Sequence, residues 1–293
     1  MTTEAKRCDD FAPPPEVQPS DGFRLWAVVL AGGAGSRMGD LGKQIPKVFL
    51  PLGLEPVLNR PVQECLNQVG ESGRVIVLTR KRLEDKLPGV NYEQWAKAWK
   101  TTHGTDARIE LWFEEDATGV SARNLPSGAC VGLAAFIELL GKVAQDRCPT
   151  HLLIVAGDNY FTSTLDDIVE GARRHNNECI LAVRSIDDPQ LAVGRFGVAR
   201  VDETLPSPRP VNEYREKPKT RAGRTIALGI YCMPMVCLAS IEGYLAKVQQ
   251  ENIENIERID KFQQNYDEEV GVISKDSERA RAKALPCGAN GGG

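Results

Sequence analysis

Near the start of the chain, Gly32, Gly33 and Gly35 are followed by Arg37 and, further on, by Lys47 directly behind Pro46. Glycines carry no Cβ, so successive backbone N–H groups can curl round a concavity and bind an anion, phosphate being the usual occupant. Arg37 and Lys47 would add fixed positive charge over a polyphosphate. A second candidate lies far along the chain: the apolar run Leu152–Ala156 ends in Gly157-Asp158-Asn159. A carboxylate beside several phosphates is unfavourable without a cation between them. Mg2+, held by one or two carboxylates plus phosphate oxygens, is the natural choice. The plainer alternative makes Asp158 a turn residue, or the cap of a helix beginning near Leu165.

Three phosphate loops compete for the glycine turn. A P-loop requires Gly-Lys-Ser/Thr, but Gly42-Lys43 is followed by Gln44, which offers magnesium no hydroxyl. A dinucleotide-binding turn tolerates Gly33-x-Gly35 but needs a helix to open at once, whereas Pro46 and Pro51 soon interrupt the segment. The preferred reading is a long open loop that carries cations over a triphosphate.

The surrounding elements must place these groups. Leu25–Ala31 is a short, almost wholly apolar run, as in a strand buried on both faces of a parallel sheet. Pro56–Gly70 reads as a helix with Val57, Leu58, Val62, Cys65, Leu66 and Val69 on one face, becoming regular only after Pro61. Further strands are expected at Arg74–Thr79, Ile109–Phe113, Leu152–Ala156, Cys179–Val183 and Ile226–Met233. Tyr92, Trp95, Ala96 and Trp99 fall at helical spacing, where core packing is the commoner explanation and base stacking the other. Gly128–Val143 reads as a helix, with Ser127 as its cap or Gly128 as a point of close ligand approach. Gly194–Val198 reads as a hairpin-like segment and residues 202–212 as irregular. Met235–Gln250 reads as an amphipathic helix with Val236, Ala239, Ile241, Leu245 and Val248 inward. The whole is an α/β chain: a Rossmann-like open, mostly parallel sheet with helices on both faces. Ligands bind beyond the carboxyl ends of such strands, so Asp158 should share a crevice with the glycine loop. Residues 1–22 read as a disordered arm, 23–250 as the domain and 251–293 as a poorly packed tail.

The net charge of −4 argues against a nucleic-acid or anionic-membrane surface. No apolar run approaches the ~20 residues of a membrane span, and the polar, proline-rich start is unlike a secretory signal. The eight cysteines include no C-x-x-C pair, and His103, His151 and His175 lie at no zinc-ligand spacing. Reduced thiols in a cytoplasmic protein are expected.

The segment Gly32-Gly33-Ala34-Gly35-Ser36-Arg37-Met38 with Pro46-Lys47 resembles the signature of the sugar-1-phosphate nucleotidyltransferases, the sugar-nucleotide pyrophosphorylases. Gly157-Asp158-Asn159, Arg195-Phe196-Gly197-Val198, Glu216-Lys217-Pro218 and Leu228-Gly229-Ile230-Tyr231 resemble later segments of that family in the same order. The following Tyr160-Phe161 leans toward the glucose-1-phosphate thymidylyltransferase branch. The resemblance implies a nucleotide-diphospho-sugar transferase fold and a Mg2+-dependent enzyme that joins a nucleoside triphosphate and a sugar 1-phosphate, releasing pyrophosphate. Arg37 and Lys47 would be catalytic, and Asp158 would hold the metal. Gly32, Gly33 and Gly35 would line the triphosphate, and Gly128 the base. Glu216 would meet the sugar hydroxyls and Lys217 the sugar phosphate, with Gly197 and Gly229 leaving room for the sugar ring. Oligomeric state stays open, a homo-oligomer included. The family's later Trp-x-Asp-x-Gly segment, whose aspartate helps hold the metal, has no counterpart here. Its lack motivates a second reading, a weak or inactive relative that binds nucleotide sugars as a sensor or partner subunit.

Overall fold

A computed structural model describes residues 22–33, 35, 38–81, 91–103, 108–118, 129–144, 147–205, 207–241, 243 and 250. The expectations for Arg37 and Gly128, for the arm up to residue 21 and for the tail at 251–293 lie outside these residues. Contacts divide the chain into Met1–Glu242 and Gly243–Gly293, and the architecture below belongs to the first unit.

The apolar run after Arg24 forms β1 (Leu25–Leu30), which pairs in parallel with β4 (Val75–Thr79) and with β6 (His151–Ala156). β5 (Ile109–Phe113) extends this layer in parallel beyond β4. Every residue of β4 is buried, as are all but the last residues of β1 and β6. Continuous burial requires cover on both faces, and the period of two shows how it is met. Leu25, Ala27 and Val29 join a core with α2 (Asn59–Gln68), α3 (Tyr92–His103) and α5 (Asp166–Arg174). Trp26 and Val28 join the opposite core with α4 (Ala129–Leu140). The expected open α/β sheet with helices on both faces is therefore present.

Beyond β6 the sheet changes sense. β10 (Thr225–Pro234) runs antiparallel to β6, with Ile230 opposite Val155 and Pro234 opposite His151. It also pairs antiparallel with β7 (Ile180–Ser185) and β8 (Val198–Val201), and β8 with β9 (Val211–Arg215), completing an eight-stranded sheet. A small hairpin, β2 (Pro51–Leu52) and β3 (Glu55–Pro56), stands apart.

Local expectations are corrected in four places. α2 starts before Pro61, which lies in its first turn, where backbone N–H groups have no intrahelical acceptor to lose. Gly194–Val198 is not a hairpin: a 3₁₀ turn at Pro189–Ala192, capped by Asp188 accepting from the Gln190 N–H, leads through Gly194 (φ 67°) into β8. Val211 and Asn212 belong to β9 rather than to an irregular stretch. Met235–Leu238 is 3₁₀, and the tighter winding turns Leu238 inward while Val236 is 45% exposed. Tyr92, Trp95 and Trp99 are buried in the core, which settles their helical stripe as packing.

Candidate active site

The four parallel strands end at one rim, and the chain places its motifs there. After β1 comes the glycine turn. Of its three glycines only Gly35 has a left-handed φ, 65°. The other two lack side chains for different reasons. A Cβ at Gly32 would stand 2.7 Å from Glu114 Oε1, whereas one at Gly33 would meet nothing within 4 Å. Gly33 thus leaves its backbone open to a ligand, while Gly32 leaves room for a buried carboxylate. A short helix, α1 (Asp40–Gln44), follows and ends before Pro46. A Cβ on Gly42 in this helix would overlap the Gly35 carbonyl oxygen and come within 3.1 Å of the Met38 Cβ. The helix therefore lies directly against the turn.

Lys47 opens a 3₁₀ turn, Lys47–Phe49, whose Val48 and Phe49 are buried. The Phe49 ring lies 4.7 Å from that of Tyr92. Tyr92 in turn donates its hydroxyl to the Ala31 carbonyl at 2.8 Å, at the foot of the glycine turn. With its neighbours anchored, Lys47 projects outward, and its Nζ meets Asp158 Oδ2 at 2.5 Å. The two residues are 111 positions apart in sequence. Asp158 is thus not a helix cap: α5 begins after Leu165 with no side-chain cap.

Each residue of Gly157-Asp158-Asn159 has its own task. The Gly157 N–H donates to the Leu30 carbonyl at 2.9 Å. A Cβ there would stand 3.0 Å from the same oxygen, so glycine lets the end of β6 lie against β1. Asp158 carries the charge. Asn159 Nδ2 donates to the Leu228 carbonyl at 2.6 Å. Leu228 lies where β10 bulges between Ala227 and Tyr231, and Gly229 there has φ 69°. Gly229 therefore has a backbone reason for being glycine, independent of any sugar ring.

The remaining pair sits on the antiparallel extension. Glu216 and Lys217 follow β9, and their side chains are paired at 3.0 Å. Lys217 has φ 42°, the one positive φ among described residues that are not glycine, and it precedes Pro218, a context that favours extended backbone. Gly197, just before β8, is overlain by Tyr214. An added Cβ would overlap the Tyr214 hydroxyl and lie 2.6 Å from its Cζ. Glu216 is also near enough to Cys130, in the first turn of α4, to help raise that thiol's pKa after the larger effect of burial.

Residue types alone did not point to Arg80 and Glu114. Arg80 follows β4 and Glu114 follows β5; Arg80 Nε donates to Glu114 Oε2 at 2.6 Å, with side chains only 8% and 12% exposed. Beside them Lys81 pairs with Asp116 at 2.5 Å. Glu114 Oε1 would also stand 3.2 Å from a Cβ on Gly132 in α4, so this carboxylate is wedged between the glycine turn and that helix. The signal available was an arginine and an acid each directly after a predicted strand, Arg74–Thr79 and Ile109–Phe113.

Asp158 could hold a cation: its carboxylate is one-third exposed, and Oδ2 takes Lys47. Among the described residues no three His, Cys, Asp or Glu side chains gather into a metal cluster. A single carboxylate suits an ion that takes its other ligands from phosphate and water.

A glycine turn, a lysine and a carboxylate at the carboxyl rim place the chain among the α/β proteins that bind ligands beyond their strand ends. More narrowly, it belongs to the nucleotidyl transferase family, whose sequence model matches residues 26–278. A glucose-1-phosphate adenylyltransferase of Clostridium beijerinckii is 26% identical over 70% of this chain and 49% of its own length. One of Thiobacillus denitrificans is 25% identical over 89% of this chain and 54% of its own. The chain thus spans about half the length of the curated relatives it matches. Among solved structures, a protein from Bacillus anthracis described as a glucose-1-phosphate thymidylyltransferase, in complex with sucrose, aligns with TM-score 0.55 and 22% identity over 74% of each chain. A UDP-glucose pyrophosphorylase with UDP-glucose aligns with TM-score 0.54 and 16% identity over 75% of this chain and 80% of its own. These structures share the fold.

Proposed function

We propose that the chain joins a nucleoside triphosphate and a sugar 1-phosphate into a nucleotide sugar, with release of pyrophosphate and dependence on Mg2+. The observation that carries this reading is the Lys47–Asp158 pair, which brings a cation and a carboxylate from distant motifs to the strand ends beside the glycine turn. An oxygen of the sugar phosphate attacks the α-phosphorus in line, and the bond from that phosphorus to the bridging oxygen of the departing pyrophosphate breaks. The nucleophile is already an anion, so no general base is needed. The protein aligns two anions that repel one another and offsets their charge.

In this reading Lys47 exchanges Asp158 for the α-phosphate, Arg37 and the open backbone at Gly33 meet the triphosphate, and Lys217 meets the sugar phosphate. Asp158 would hold Mg2+, which when bound neutralises phosphate charge. The relatives' names differ in the base but share glucose, so glucose 1-phosphate is the sugar substrate we propose first. No helix among the described residues is long and apolar enough to cross a membrane. The reading places the protein in the cytoplasm, with no nucleic-acid or membrane partner.

The test is pyrophosphate release from each nucleoside triphosphate with a panel of sugar 1-phosphates, with Mg2+ and after chelation. Turnover with glucose 1-phosphate that chelation abolishes supports the proposal. Near wild-type turnover in Lys47→Ala or Asp158→Ala refutes the residue roles. Tight binding of a nucleotide sugar without turnover refutes catalysis and favours a sensor.

A further inference from the structure

Two of the motifs, Gly197 with its neighbours and Glu216-Lys217-Pro218, are joined by a residue that belongs to neither role so far. In the β8–β9 ladder Ala199 lies opposite Tyr214 and Val198 opposite Arg215. Tyr214 and Glu216, two positions apart, therefore project to the same side of β9 as it leaves the sheet. The Tyr214 hydroxyl lies on the bare Cα of Gly197 and donates to Glu216 Oε2 at 2.8 Å. The other carboxylate oxygen, Oε1, takes Lys217 Nζ at 3.0 Å. Behind Tyr214, the side chain of Tyr231 lies close enough to help raise that phenol's pKa. Tyr231 sits in β10 opposite Ile154 of β6 and packs against the core beneath α4. A chain of contacts thus runs from the rigid centre of the sheet to a carboxylate that is itself 57% exposed.

We propose that Tyr214 is a positioning residue for the sugar side of the site, seated on Gly197 and braced by Tyr231 so that its hydroxyl aims the Glu216 carboxylate. This rests on the reading of Glu216 as the acid that meets the sugar hydroxyls. A free glutamate at a strand end samples several rotamers, and ordering it at each binding event costs affinity. Fixing both oxygens beforehand removes that cost. Burial first, and then the bond to Glu216, push the Tyr214 phenol well above its ordinary pKa, so it stays protonated and remains a donor across the working range. It also accounts for Gly197 without a ligand: any side chain there would displace the tyrosine. Lys217's left-handed backbone and the Gly194 N–H donating to the Pro218 carbonyl at 2.9 Å hold the same corner from the other side.

The test is Tyr214→Phe, which keeps the ring on Gly197 and removes the hydroxyl. The expected result is a rise of about tenfold in KM for the sugar phosphate, the scale of one hydrogen bond to a charged group. KM for the triphosphate and the melting temperature should stay at wild type. In a Glu216→Gln background the same change should have no further effect. Equal losses for both substrates, or additive losses with Glu216→Gln, would overturn the role.

The contacts can also be read without substrate. In protein carrying [ζ-13C]tyrosine, Glu216→Gln should move the NMR signals of both Tyr214 and Tyr231, and two unmoved signals would overturn the relay whatever the activity. If the wild type neither turns over nor binds any sugar phosphate while those signals do move, the relay stands, and it is the functional reading, with the sugar-side role, that fails.

Discussion

The Arg80–Glu114 pair behind the glycine turn should be among the most sensitive points in the domain. At 2.6 Å and with side chains 8% and 12% exposed, the pair has a gross attraction of about 6 kcal/mol at an effective dielectric of 20. Most of that is offset by the desolvation of both ions. Breaking such a pair is a different matter, because the remaining charge stays buried: Glu114→Leu should destabilise by about 3–5 kcal/mol. At roughly 2–4 °C per kcal/mol for a domain of this size, melting should fall by about 6–20 °C. Arg80→Met should also destabilise, because Glu114 loses its buried guanidinium partner. The double variant should be more stable than either single one, since well-packed apolar replacements of a buried pair are often nearly neutral. Thermal and urea unfolding of the four proteins closes the cycle. Additive losses in the double variant would show that the two groups are not coupled and would refute the reasoning. Recovery of stability without recovery of the triphosphate KM would separate the pair's role beneath Gly32 from its contribution to folding.

Three further outcomes are expected. Lys47→Ala should lower kcat by about 10²–10³. It should move unfolding free energy by no more than about 1 kcal/mol, because its pair with Asp158 is half exposed on the lysine side; a large melting shift would recast Lys47 as structural. Gly42→Ala should destabilise by about 1–3 kcal/mol and speed proteolysis of the glycine turn, because the new methyl meets backbone of Gly35 that cannot rotate away; wild-type stability would place α1 elsewhere. Burial pushes the Cys232 thiol up to about 12 from an ordinary 9.0, so the folded state holds that proton more tightly than the unfolded chain. Its contribution is complete below pH 9.0 and is lost as pH rises from there toward 12. Cys232→Ala should flatten the alkaline fall in melting temperature, and an unchanged slope would refute the assignment.

How much of this was legible follows from the kind of interaction involved. β1, β4 and β6 could be read because a strand covered on both faces must be apolar along its whole length, a local and redundant signal. The Lys47–Asp158 meeting was legible through topology: both residues were placed at strand-end loops, and parallel strands bring those loops to one rim. Arg80–Glu114 was not, because its members are 34 residues apart and only the lateral pairing of β4 with β5 makes them neighbours. The phase of the segment after β10 was misjudged for another reason. A 3₁₀ turn winds three residues per turn rather than 3.6, so the inward position fell on Leu238 rather than Val236. Gly32 and Gly197 were read as glycines for a ligand's sake, yet each clears space for a side chain of the same protein, and nothing in a glycine's own letter distinguishes the two.

The reversal of strand sense at β10 explains why two motifs far apart in sequence depend on each other. A parallel strand reaches the rim with its carboxyl end and can hand over directly to a loop. An antiparallel strand meets the rim in its interior, where its backbone is committed to the ladder. β10 solves this with the bulge at Gly229, which breaks the pairing register between Ala227 and Tyr231. A bulge disrupts the local ladder bonds, and a partly buried carbonyl deprived of a donor is costly. The Asn159 amide supplies the donor to Leu228. Asn159 follows Asp158 in the same tight turn, so the contact that repairs β10 also fixes the carboxylate that meets Lys47. The antiparallel half of the sheet, which carries Glu216 and Lys217, is in this way tied to the parallel half, which carries the glycine turn. A single turn after β6 sets the spacing between the two anion-binding sides of the proposed site.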